Sequence, residues 1–148
     1  MRAMGRRRRQ AVLTANTLGE AARTIQPGEP APGLPGWEVV ATPGHTPGRI
    51  SLLRTADAVL IAGDALVNLR LNSVRGLLRQ QPGLSSPPWY TTWSRAVAVT
   101  SIQNLAAVRP RVLGPGHGRA LTQRDTPHLV RGFAVSLGTR SPSEDTGL

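Results

Sequence analysis

Three short apolar runs in this chain each stop at a tight turn that carries one side chain able to bind a metal. WEVVA runs into TPGHTPG and His45, AVLIA into Gly63 and Asp64, and RVL into GPGHG and His117. Both histidines follow a Pro-Gly step, where proline fixes φ and glycine takes conformations that other residues avoid. An imidazole placed there is aimed by a backbone with little freedom. Runs of this length bounded by turn residues read as strands, and loops held by a rigid scaffold are where functional groups usually sit. The chain is therefore expected to build a sheet whose strand ends deliver His, Asp and His on loops.

The rest of the chain can be placed around these turns. Residues 1–10, with Arg6 to Arg9, are expected to form a solvated basic arm, and 11–25 have moderate helical potential. The stretch QPGEPAPGLPG is too rich in proline and glycine for a helix or a central strand and reads as a linker or loop. Residues 37–42, 49–54 and 58–62 are predicted strands, the last two joined by a turn at 55–57. The run around Ile61 is nearly continuously apolar, which predicts a strand buried on both faces. Residues 67–80 read as a short helix or an irregular excursion, and 81–88 as loop.

A helix is predicted over 91–108, capped by Thr91 or Thr92, with Ala98, Ile102, Leu105 and Ala106 on one face and Pro110 marking its end. A short strand at 111–113 follows. Asp125 with Pro127 starts a final helix through about residue 138, and SPSEDTGL is expected to fray. The domain boundaries this gives are an arm and linker at 1–30, a partial domain at 31–140 and a tail at 141–148.

At 148 residues the length suits one domain, and an apolar fraction of 39% with only 3% aromatic makes its core aliphatic. The absence of cysteine removes disulfides and thiolate ligands, so any metal must be held by His, Asp or Glu. All 18 basic residues are arginine, and the net charge of +10 would attract polyanions through counterion release, a salt-sensitive and unspecific effect. No aromatic interleaving or nucleic-acid module accompanies it. No apolar run approaches the roughly 20 residues needed to cross a bilayer, so no membrane partner is expected. The basic start lacks a long apolar stretch and a cleavage site, and cytoplasmic residence is the expectation.

TPGHTPG, then a strand hairpin ending in Gly63-Asp64, then a helix, then a strand into PGHG resembles the C-terminal half of the metallo-β-lactamase-fold hydrolases, from about Trp37 to Leu121. The resemblance implies an α/β (α+β) chain forming part of an αββα sandwich, with one or two metal ions, commonly zinc and otherwise iron or manganese, at the sheet edge. By position His45 would bind the first metal, Asp64 would bridge both as the catalytic carboxylate, and His117 would bind the second. The family's HxHxDH motif, which supplies most of the other ligands, occurs nowhere in this sequence. The expectation is of a truncated hydrolase in which metal-activated water attacks an ester, thioester, lactone, β-lactam or phosphoester of some small-molecule substrate. A sheet face left open would favour self-association.

Bland readings stand beside these. Asp64 suits a turn aspartate bonded to backbone amides, and an imidazole can occupy a tight loop without binding anything. A single metal held jointly by His45, Asp64 and His117 is the two-histidine, one-carboxylate alternative to a pair. His128 reads as a surface residue, and Trp89, Tyr90 and Trp93 as a staple of loop to core or as a pocket wall. A non-catalytic half-domain that binds a partner, and a basic protein that associates non-specifically with nucleic acid, are the two rival functions.

Overall fold

Short β-branched and aliphatic segments separated by Pro/Gly turns have one economical solution, a meander of strands whose alternate residues share a face. A computed structural model describes residues 24–71 and 78–139 of the chain and shows that solution. Strands β1 (Glu38–Ala41), β2 (Ile50–Arg54) and β3 (Val59–Gly63) pair in order and antiparallel, with Val39 opposite Leu52 and Leu52 opposite Ile61. Helix α1 (Arg95–Ala107) crosses over to β4 (Val112–Pro115), which pairs parallel to β3, and helix α2 (Thr126–Thr139) closes the described chain. The sheet order is β1-β2-β3-β4.

One face of this sheet makes the core. Leu53, Leu60, Ala62 and Leu113 from the strands cluster with Ile102, Leu105 and Ala106 of α1 and Val130 and Ala134 of α2. Each fully buried leucine among them contributes about 1.5–3 kcal/mol relative to exposure. A buried polar relay crosses the same strands: Thr42 Oγ1 and Ser51 Oγ lie 3.0 Å apart, and Ser51 Oγ donates to the carbonyl of Ala62. The opposite face alternates with the first, as period two demands. Ile50 and Ile61 there are 39% and 42% exposed, so the two-faced burial expected for β3 is corrected: its apolar run is half core and half open surface among the described residues.

Helix α1 begins later than the sequence suggests. Thr91 and Thr92 donate their hydroxyls to Pro88 O around a single 3-10 turn (Trp89–Thr91), and Ser94 is the N-cap, accepting from Val97 N. The buried face is nonetheless the expected one, Ala98, Ile102, Leu105 and Ala106, with Ser101 added. Tyr90 and Trp93 are 61% and 64% exposed and do not staple the junction to the core. The Pro/Gly stretch before β1 is more ordered than a free linker: Gly28 N donates to Val39 O and Ala31 N to Trp37 O, while Val39 N donates to Glu29 O. His128 is exposed at the start of α2, as expected. The predicted arm, most of the helix over 11–25, the core of the excursion at 72–77 and the tail from 140 on lie outside the described residues. Among the described residues no helix is long and apolar enough to cross a membrane.

The β2–β3 turn carries an exposed fork. Arg54 donates through Nε and Nη2 to the two oxygens of Asp57, each at 2.8 Å, and its guanidinium stands 4.8 Å from the centre of the Trp37 ring. Those hydrogen bonds hold the Asp57 carboxyl below its ordinary value, against the opposing effect of desolvation and with help from the arginine's charge. A depressed carboxyl contributes its stability above the unfolded value and loses it as pH falls through the folded one. Asp57→Asn is therefore expected to melt slightly below the parent at pH 7 and to converge with it in acid, as pH falls through the depressed value of the folded carboxyl, read by paired thermal melts.

Candidate metal centre

The strand directions decide what meets at the site. Because β2 runs antiparallel to both neighbours, β1, β3 and β4 all point the same way, and their C-terminal ends lie at one end of the sheet. The loops that follow carry His45, Asp64 and His117 respectively. Asp64 and His117 follow neighbouring strands and come together, with Asp64 Oδ1 3.4 Å from His117 Nε2. His45 follows β1, two strands from β3 and so about 10 Å across the sheet.

Each loop is fixed locally. Gly116 N donates to Gly63 O at 2.8 Å, tying the end of β4 to the end of β3, and a Cβ on Gly116 would fall closer than 3.0 Å to Asp64 Oδ1 and Asp64 N. Only glycine lets the two turns approach this far. Asn68, 8% exposed, binds the His117 loop from below: its N donates to His117 O and its Nδ2 to Arg119 O, both at 2.8 Å, while its Oδ1 accepts from Gly83 N. The His45 loop is held by α1 instead. Trp93 N donates to His45 O, Ser94 N to Gly44 O and Ser101 Oγ to Pro43 O. Gly44, at φ +133°, lies so close to the backbone of Ala98 that no larger residue fits.

A fourth group stands among the three. Arg49 immediately precedes β2, which enters the sheet at this same end, and continuing the β2–β3 register places it opposite Asp64. Its Nη2 donates to Asp64 Oδ2 at 2.6 Å, with 19% of the arginine and 32% of the aspartate side chain exposed. Arg49 Nε is buried without a hydrogen-bond partner among the described residues, as is His45 Nδ1. Neither Arg49 nor Asn68 is evident from sequence motifs. Arg49 becomes visible only when the hairpin register is carried past the strand ends, and Asn68 lies in a stretch without periodicity.

The donors present can be tested against an ion. Ligands about 2.0–2.2 Å from a tetrahedral metal lie about 3.4 Å from one another, which is the spacing of Asp64 Oδ1 and His117 Nε2. That pair fits one edge of a site. A catalytic zinc takes three protein ligands, and among the described residues no group of three or more His, Cys, Asp or Glu side chains is placed to hold a metal ion. Asp64 also offers one open oxygen, since Arg49 occupies the other.

A model of the metallo-beta-lactamase superfamily matches residues 21–117. The chain is 42% identical over 94 residues to the probable metallo-hydrolase YflN of Bacillus subtilis (strain 168), covering 64% of this chain and 36% of that protein. It is 39% identical over 82 residues to the uncharacterized protein YobT of the same organism, covering 55% of this chain and 34% of that one. The chain thus spans about a third of the length of these curated relatives. Among solved structures it resembles a metallo-beta-lactamase family protein from Thermus thermophilus, with a TM-score of 0.52 and 22% identity over 91% of this chain and 46% of that one. It also resembles TMB-1, with a TM-score of 0.53 and 16% identity over 87% of this chain and 54% of that one. At these identities the structures speak for the fold alone. A four-stranded sheet with its two helices is accordingly part of the sandwich that the sequence resemblance implied.

Proposed function

This chain belongs to the metallo-beta-lactamase superfamily, a family of metal-dependent hydrolases, and from that premise we propose that it carries the later-placed ligands of a hydrolase site. The observation that carries this reading is the 3.4 Å spacing of Asp64 Oδ1 and His117 Nε2 at the end of two adjacent parallel strands. A bound zinc, iron or manganese ion would supply a water acidic enough to ionise near neutral pH. The chain's own residues do the rest. Asp64 and His117 present one oxygen and one nitrogen from turns that Gly116 and Asn68 lock in place, and His45 faces the same end of the sheet from the α1 side. The substrate class that suits such a site is an ester, thioester, lactone, β-lactam or phosphoester.

The remaining ligands would come from a complementing chain, in keeping with the third of its relatives' length that this chain spans. The apolar strand face bearing Ile50 and Ile61 suits such complementation. Elemental analysis after dialysis tests the reading: the parent is expected to retain metal, and Asp64→Ala to retain little. Metal retained equally by both would remove Asp64 as a ligand, and background in both would favour a half-domain without chemistry of its own.

A further inference from the structure

We propose that Arg49 is a built-in competitor for the metal, a guanidinium that occupies Asp64 and must be displaced or outbid before an ion can settle between Asp64 and His117. The inference rests on reading those two residues as donors, and it adds a residue that sets how tightly the site binds. Arg49 is not a chance surface contact. It immediately precedes the strand between those that deliver His45 and Asp64, opposite Asp64 in the continued register, and its Nη2 lies 2.6 Å from Asp64 Oδ2. Gly63 leaves it room, since a Cβ there would meet Nη2 at 3.2 Å. The backbone anchors it from the other side, where Arg49 O accepts from Thr42 N at 2.9 Å. With Nε buried and without a partner among the described residues, the arginine directs its charge at the carboxylate.

The charge balance follows. Asp64 is the carboxylate of the candidate pair and Arg49 stands against it, so a dication arriving there is attracted less than it would be by the carboxylate alone. A guanidinium hydrogen-bonded to a carboxylate would repel a dication held on that same carboxylate by an amount on the order of tenfold in affinity, and by more in a half-buried site. An opposite role exists in principle. A hydrogen-bond donor behind a ligating carboxylate ordinarily supports metal binding about 10–100-fold. The two roles predict opposite signs, and the full positive charge of Arg49 at such short range favours competition.

Equilibrium dialysis of the full chain against buffered Zn2+ decides between them. Arg49→Met is expected to bind zinc at least about tenfold more tightly than the parent, Arg49→Lys to stay near the parent because it keeps the charge, and the gain to vanish when Asp64→Ala is added. Zinc is also expected to raise the melting temperature of Arg49→Met more than that of the parent. Arg49→Gln, which keeps a donor for Oδ2 without the charge, repeats the test should methionine unfold the sheet end, and the same gain is expected. Zinc bound by the parent and no more tightly by the uncharged variants overturns the competition and leaves Asp64 and His117 as donors. Zinc bound by none of the chains overturns both.

Discussion

Gly116→Ala is expected to destabilise the chain by about 3 kcal/mol and to end metal capture by Asp64 and His117, even in an Arg49→Met background. The new methyl has no free direction. It would lie closer than 3.0 Å to the carboxylate oxygen of Asp64 and to two backbone atoms, Asp64 N and Gly63 C, that cannot rotate away. Relief requires the ends of β3 and β4 to part, which breaks the Gly116 N to Gly63 O bond and the 3.4 Å spacing together. Overpacking of this kind ordinarily costs about 1–3 kcal/mol, and a clash against main chain belongs at the upper end. Urea unfolding with and without Zn2+ reads both effects. A variant as stable as the parent, with its zinc binding intact, would show that the two turns are less tightly apposed than described.

Leu60→Ala is expected to cost about 2–5 kcal/mol. Leu60 is fully buried at the centre of the sheet, opposite Leu53 on one side and Leu113 on the other, and its side chain belongs to the cluster that both helices share. An aliphatic core has few aromatic groups to collapse into the space, so most of the cavity should persist. Against a typical domain stability of about 5–15 kcal/mol, a loss of this size is a large fraction, and the urea midpoint should fall at unchanged slope. A fall equivalent to less than about 1 kcal/mol would mean that the sheet and helices pack more loosely than the burial of Leu60 implies.

What is legible in the sequence is whatever the local chain dictates. The strand ends before His45, Asp64 and His117 follow from short apolar runs stopped by Pro and Gly, and the buried face of α1 follows from the spacing of Ala98, Ile102 and Leu105. Ser94 escapes such a reading because Thr91, Thr92 and Ser94 can each cap a helix, and the choice among them is made by tertiary contacts, including the bond from Ser94 N to Gly44 O. The open face of β3 escapes it too, because an apolar run does not record whether a second layer covers it. Of the site, the Asp64–His117 pair is legible in the order of motifs, whereas Arg49 is not: a charged residue in a turn carries no signature until the register is known. Residues 65–71 and 78–88 resist reading because their order comes from distant partners, such as Asn68 with Arg119 and Val67 with Ser85.

The parallel pairing of β3 with β4 has a consequence for the order of assembly. The β1–β2–β3 meander joins near neighbours in sequence, so its loops close at little entropic cost, whereas Val59 meets Val112 only after roughly fifty intervening residues have been gathered in. Non-local contacts of that kind are the slow ones. Arg49 reaches Asp64 within the early hairpin, and His117 arrives with the late strand. The Arg49–Asp64 contact thus depends on local pairing alone, whereas the approach of His117 to the same carboxylate depends on the long-range pairing of β3 with β4.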